Sequence, residues 1–109
     1  MGGAKLIVMY PTPKDMQAFE LAYNNEHIPM AVPIFKAAGA TKAVLTKITG
    51  SPAGTPAFHR VAEIHFPSLD KLQACAASRA GQDAVAHAHR ISTGGAPVVL
   101  VAEEDVVTL

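Results

Sequence analysis

The two ends of the chain hold its most restrictive segments. KLIVMY (5–10) and PVVLV (97–101) are short, rich in β-branched residues and almost wholly apolar. Such runs read as strands. Their lack of alternation means that both faces of each strand must be covered. A third strand, FHRVAEIHF (58–66), alternates instead. Phe58, Arg60, Ala62, Ile64 and Phe66 share one face, and His59, Val61, Glu63 and His65 share the other. ATKAVLTKI (40–48) supplies a fourth strand, and the Gly/Pro-rich GSPAGTP (50–56) turns the chain between it and the third.

Helical periodicity fills the gaps. After Pro11, Thr12 is the expected N-cap, Pro13 the first helical residue and Asp15 the end of a capping box. Met16, Phe19, Tyr23 and His27 then fall on one stripe at spacings of three and four. Ile28 precedes Pro29, which disfavours its α conformation, so a break or kink is expected there, with a second helical piece over 30–38 stopping at Gly39. Ser68 caps a helix over 69–78, with Leu69, Leu72 and Cys75 inward. Arg79-Ala80-Gly81 breaks it, and a further helix over 82–91 carries Val85, Ala88 and Ile91. The order is β-α-β-β-α-β, an α+β chain of the ferredoxin-like plan: a four-stranded antiparallel sheet with its helices on one face, in a single domain over 1–109. One helical layer leaves the second sheet face bare. Sheet-to-sheet packing of a homodimer is the economical cover, and the tail EEDVVTL is expected to be ordered only against a partner.

Composition narrows the function. Lysine plus arginine equal aspartate plus glutamate, and the formal net charge is zero, so no basic surface for nucleic acid or an anionic membrane is expected. Cys75 is the only cysteine, which excludes a disulfide framework and a cysteine metal cluster. It reads as a small core residue, because no basic neighbour in sequence would activate it. The N-terminus lacks the long apolar region of a signal peptide, no apolar run is long enough to span a bilayer, and the expected location is cytoplasmic.

Three sets of side chains could carry chemistry. His27 ends the inward stripe, where an imidazole can exchange protons near neutral pH and Tyr23 could hydrogen-bond it. Against that stands a helix-end histidine that merely caps carbonyls. Arg60, on the face of Phe58 and Ile64, could bind a carboxylate or enolate oxygen, or it could pair with Glu20 or Glu26. His59, Glu63 and His65 should line the dimer interior. A metal or haem site there competes with a cluster of polar groups that satisfy one another. His87 and His89 point in different directions on their helix and read as surface residues. Ser51, Ser68 and Ser78 lie in no nucleophile-elbow context, and GSPAGTP lacks the lysine of a phosphate loop.

The pattern Phe19-x-x-x-Tyr23-x-x-x-His27-x-Pro29-Met30, followed by Gly39, AEIHFPSLD (62–70), SRAGQDA (78–84) and Gly94-Gly95, resembles the EthD family, named from ethyl tert-butyl ether degradation. The resemblance covers nearly the whole chain. It implies the dimeric α/β-barrel superfamily and a role in a catabolic or polyketide-like pathway. The expected activity is cofactor-free proton-transfer chemistry on a small hydrophobic carbonyl compound. His27 would be the general acid/base, Tyr23 its orienter or a second donor, and Arg60 the oxyanion or carboxylate partner, with no cofactor and no metal. The alternative is a non-catalytic ligand-binding or accessory protein of a degradation system. A haem-handling protein is the weakest reading, since aromatic residues make up only 6% of the chain.

Overall fold

The computed structural model describes residues 3–109. β1 runs from Ala4 to Pro11, and its side chains alternate between buried and half-buried. Ala4, Leu6, Val8 and Tyr10 are the buried set. β3 (Phe58–Phe66) pairs antiparallel with it, placing Leu6 opposite Ile64 and Val8 opposite Ala62. β2 (Lys42–Lys47) lies outside β3, and β4 (Val98–Glu103) lies on the other side of β1. The strand order β2-β3-β1-β4, antiparallel throughout, is the ferredoxin-like arrangement that the element order implies.

The chain leaves β1 differently from the sequence expectation. Thr12 does not cap a helix; its hydroxyl donates to the Pro56 carbonyl, 2.6 Å away. Asp15 is the cap instead. Its carboxylate accepts from the Ala18 N–H and opens α1 at Met16–Ala22. Nor does the helix break at Pro29. A π-helical turn over Tyr23–His27 carries α1 directly into α2 (Ile28–Ala37). There the Ile28 N–H reaches back five residues to the Tyr23 carbonyl. The wider turn gives the proline ring room that an α-turn denies it. Gly39, at φ 96°, then reverses the chain where expected. Met16 is exposed, so the inward stripe begins at Phe19 and comprises Phe19, Tyr23 and His27.

Ser68 accepts from the Lys71 N–H to start α3 (Leu69–Ala77). The expected break at 79–81 falls one residue earlier, at Ser78, whose extended backbone ends α3 and whose hydroxyl accepts from the Gly81 N–H to cap α4 (Arg79–Ile91). Gly81 is therefore helical. A side chain there would overlap the Cys75 carbonyl, so glycine is required by close approach. The core lies between the helices and one sheet face, built on Leu6, Val8, Tyr10, Ile64, Phe66 and Leu72 with Phe19 and Tyr23. Cys75 is buried there, and burial raises its thiol pKa. No helix among the described residues is long and apolar enough to cross a membrane.

Among the described residues, no helix covers the opposite sheet face. Ile7, Met9 and Val61 stand half-buried on it, while Val44, Val98 and Leu100 are exposed beside them. At one end of this face Lys5 pairs with Glu63 at 2.6 Å and Glu104 at 3.2 Å, and His65 Nδ1 lies 3.1 Å from Glu104. Glu63 and His65 thus sit where the alternation put them. His59 does not: β3 spends two residues where β1 spends one, between the pairs Tyr10–Arg60 and Pro11–Phe58. This bulge turns His59 to the helix side.

Gly81→Ala should raise intrinsic helix propensity, yet the crowding at the Cys75 carbonyl makes the expected outcome a loss of about 2–4 kcal/mol. Urea unfolding followed by circular dichroism checks it, and a gain in stability would contradict the close approach.

Candidate functional site

Four rings from two elements build the centre of the molecule. Period-two alternation puts Tyr10 on the helix side of β1. Helical spacing puts Phe19, Tyr23 and His27 on one line above it. Tyr10 meets all three edge-on, at centroid distances of 5.3 Å, 5.4 Å and 6.3 Å. Phe19 lies parallel to Tyr23 at 5.5 Å, and Tyr23 to His27 at 6.1 Å. Offset and edge-on geometries of this kind suit aromatic quadrupoles.

His27 is not capped by backbone. Its Nε2 lies 3.3 Å from the Tyr10 hydroxyl and its Nδ1 lies 2.9 Å from Nδ1 of His87 on α4. The His27 and His87 planes differ by 3° with centroids 5.2 Å apart. The nitrogens are therefore the closest atoms, and the rings meet edge to edge, which is the geometry of an imidazole–imidazole hydrogen bond. One Nδ1 must donate and the other accept. If His27 donates, its Nε2 lone pair accepts from Tyr10; if His87 donates, His27 Nε2–H donates to Tyr10. The tautomers along the chain are coupled. Burial, with His87 adding to it, pulls His27 from 6.5 down to about 4, so it is neutral at pH 7. Burial also raises Tyr10 well above the ordinary phenol range.

The expected Tyr23–His27 hydrogen bond is not made. Tyr23 contacts His27 through its ring face, and its buried hydroxyl has no partner among the described residues. Burial pushes that phenol up to about 12, with the Arg60 guanidinium pulling the other way. Arg60 lies 5.0 Å over the Tyr23 ring, on the face that alternation assigned to it, but its charge is already engaged. Nε donates to Glu20 at 3.0 Å and the terminal nitrogen donates at 2.6 Å, a bidentate clamp. His59 Nε2 stands 2.9 Å from the same carboxylate, and its ring is edge-on to Phe19. Arg60 first, and His59 after it, hold Glu20 down to about 2. Arg60 therefore touches the site through Tyr23, and the expected role as a free oxyanion partner does not fit this geometry.

Beside His27 runs a narrow cleft between α2, α4 and the sheet, lined by Val8, Tyr10, Tyr23, Ile28, Ala31, Phe35, Leu45, Ile64, Ala84 and Ala88 among others. Its unfilled space is about 450 Å³ counting the open mouth, of which about 30 Å³ can hold the centre of a water molecule. Almost all of its lining is apolar; the polar groups are the two tyrosines and His27. No cluster of three metal-ligating side chains occurs among the described residues.

Tyr10 and His87 were not among the expected site residues, although both signals were legible. Tyr10 shares its strand face with Leu6 and Val8. His87 falls between the buried Ala84 and Ile91 at helical spacing, so comparison with His89 alone hid it. His89 is exposed, as expected.

A ferredoxin-like α+β unit with a buried imidazole in a helix–sheet cleft is the class this geometry defines. The chain belongs to the EthD family, whose EthD domain matches residues 12–91. It is 29% identical to an EthD family protein from Bacillus halodurans, with a TM-score of 0.84 over 94% of this chain and 99% of that one. An uncharacterised 11.0 kDa protein from the thcB–thcC intergenic region of Rhodococcus erythropolis is 28% identical over 104 residues, covering 94% of this chain and 96% of its own length. A dimeric ferredoxin-like protein of unknown function from Jannaschia shares the fold at 16% identity, with a TM-score of 0.68 over 95% of this chain and all of that one.

With His27 at about 4 folded and 6.5 as its ordinary value, the unfolded chain binds a proton first as pH falls. Stability should therefore decline from about pH 6.5 and level off near pH 4, by about 3 kcal/mol for this group. Urea unfolding at pH 7 and pH 4 should show His27→Gln losing less stability over this interval than the wild type; equal losses would place the titration elsewhere.

Proposed function

We propose that the protein is a cofactor-free acid–base catalyst acting on a small hydrophobic carbonyl compound. The observation that carries this is the Tyr10–His27–His87 chain at the side of an apolar cleft. In the tautomer where His27 Nδ1–H donates to His87, Nε2 holds the lone pair. At 3.3 Å the Tyr10 contact is the longer of the two and the easier to exchange. A bound carbonyl oxygen would accept from the Tyr10 hydroxyl in place of His27. Tyr23, whose hydroxyl is unpartnered, would supply a second donor. Nε2 then takes a proton from the carbon next to the carbonyl, and the electron pair moves onto oxygen as an enolate held by the two phenols. The imidazolium shares its Nδ1–H with His87. Returning the proton to the same carbon gives exchange; returning it to another carbon of a conjugated enolate gives isomerisation. Arg60, clamped by Glu20, positions the Tyr23 ring.

The second reading, a non-catalytic ligand-binding or accessory protein, is favoured by a different observation. Both nitrogens of His27 are engaged, and only about 30 Å³ of the cleft can hold the centre of a water molecule. Either role suits a catabolic or polyketide-like pathway in the cytoplasm, and the position of the Rhodococcus relative between two thc genes supports clustering with other functions of one system.

The assembly we propose is a homodimer joined sheet to sheet. It would cover Ile7, Met9, Val44, Val98 and Leu100, an apolar face that no helix among the described residues reaches, and the Jannaschia neighbour is described as dimeric.

Hydrogen–deuterium exchange at the α-carbon of 1-phenylpropan-2-one, followed by proton NMR in D2O, tests the chemistry. Wild type should exceed buffer, with an acid limb near pH 4 rather than 6.5. His27→Gln should lower the rate about 100-fold, and Tyr10→Phe should lower it less. Folded His27→Gln at full rate would remove His27 as the base; no wild-type exchange with intact ligand binding would favour the accessory role. Leu100→Glu should turn a dimer into a monomer in light scattering, and a wild-type monomer would remove the paired-sheet assembly.

A further inference from the structure

Next to the cleft beside His27 lies a wider hollow of about 260 Å³. The two spaces share Val32, Phe35, Ala43 and Ile64 as walls, so they are adjacent, and the hollow adds Lys36 from the end of α2 and Lys42 from the start of β2. Among the described residues neither lysine makes an ion pair. Lys71 of α3 passes close beside Gly39, between them in sequence, and adds a third cation to the same turn. The chain as a whole has zero net charge, so this concentration is local. The far end of the space is apolar, but one group there lacks a partner among the described residues: the Tyr23 hydroxyl, on a residue with no exposed surface. A cavity cationic at its mouth, apolar in its throat and polar at one buried atom describes its ligand.

We propose that the cleft binds a small anionic amphiphile. Its carboxylate stays in water between Lys36 and Lys42, its apolar body enters between α2 and the sheet, and its inner end reaches Tyr23 and His27. This rests on the reading of the cleft as a ligand site and narrows its substrate class to carbonyl compounds that carry a carboxylate at the opposite end. Ammonium groups on flexible stems at a solvated mouth select charge rather than exact shape. Linear and aromatic bodies are therefore separate arms of one test.

The test measures binding of octanoate, 3-phenylpropanoate and octan-1-ol to the full chain by amide NMR titration at low and high salt. At least one carboxylate should bind roughly tenfold more tightly than the alcohol at low salt. Its shifts should fall at Ala43, Phe35 and Tyr23, and the advantage should shrink with added salt. Lys36→Ala/Lys42→Ala should remove the advantage and leave octan-1-ol binding unchanged. Both lysines are exposed, so this variant should fold. Equal affinity for alcohol and carboxylates, no binding by any probe, or full carboxylate binding by the double variant would each overturn the proposal. Lysine-dependent binding without proton exchange would leave this proposal standing and remove the acid–base reading; proton exchange of 1-phenylpropan-2-one together with carboxylate binding that is indifferent to the lysines would do the reverse.

Discussion

Everything near the site depends on one packing arrangement: a single strand residue, Tyr10, set edge-on beneath a line of three helix-borne rings. Phe19, Tyr23 and Tyr10 are buried almost completely, and aromatic side chains are the largest contributors to a small core. The same contact that joins helix to sheet also fixes the imidazole. His27 cannot leave its position without opening the joint between β1 and the helical layer. A neutral histidine is tolerated there because both its nitrogens find side-chain partners.

Glu20 organises the other side of this stack. Its carboxylate gathers Arg60, His59 and, at 3.9 Å, Lys47. The cost of placing charge so near the core is offset by bidentate geometry on one side and solvent on the other. This arrangement holds Arg60 over the Tyr23 ring and leaves the Tyr23 hydroxyl without a partner among the described residues. Charge is thus kept at the rim, and the cleft itself sees only neutral polar atoms.

Much of the fold was legible because it rests on periodicities. Alternation located the buried face of β3 over 60–66, up to the bulge, and the β-α-β-β-α-β order specified the sheet. The misplaced details share a cause: each depends on a non-local contact. Thr12 was lost as a cap to the Pro56 carbonyl. His59 was turned by a bulge that belongs to a strand pair, not to a strand. His87 meets His27 across sixty residues of chain; the spacing within its helix could place it inward but could not name its partner. His27 and Tyr23 were found from their stripe, but the partners of His27 were not, because hydrogen bonding in a core is decided by which atoms face each other after packing.

The π-turn is where local sequence and site geometry meet. In an α-helix each step of four residues overshoots a full turn by about 40°. Phe19 to Tyr23 takes one such step within α1. A second α-step would carry His27 further round the helix, away from Tyr10 and toward solvent. A π-turn has more residues per turn, so four residues from Tyr23 to His27 nearly close it, and the rings stay in register at 21° to one another. Pro29 lies just beyond, where its ring disfavours regular α hydrogen bonding. The proline that looked like a helix terminator is better understood as the residue that makes the wide turn preferable. The wide turn, in turn, is what lets one helical line present a phenol and an imidazole to the same cleft.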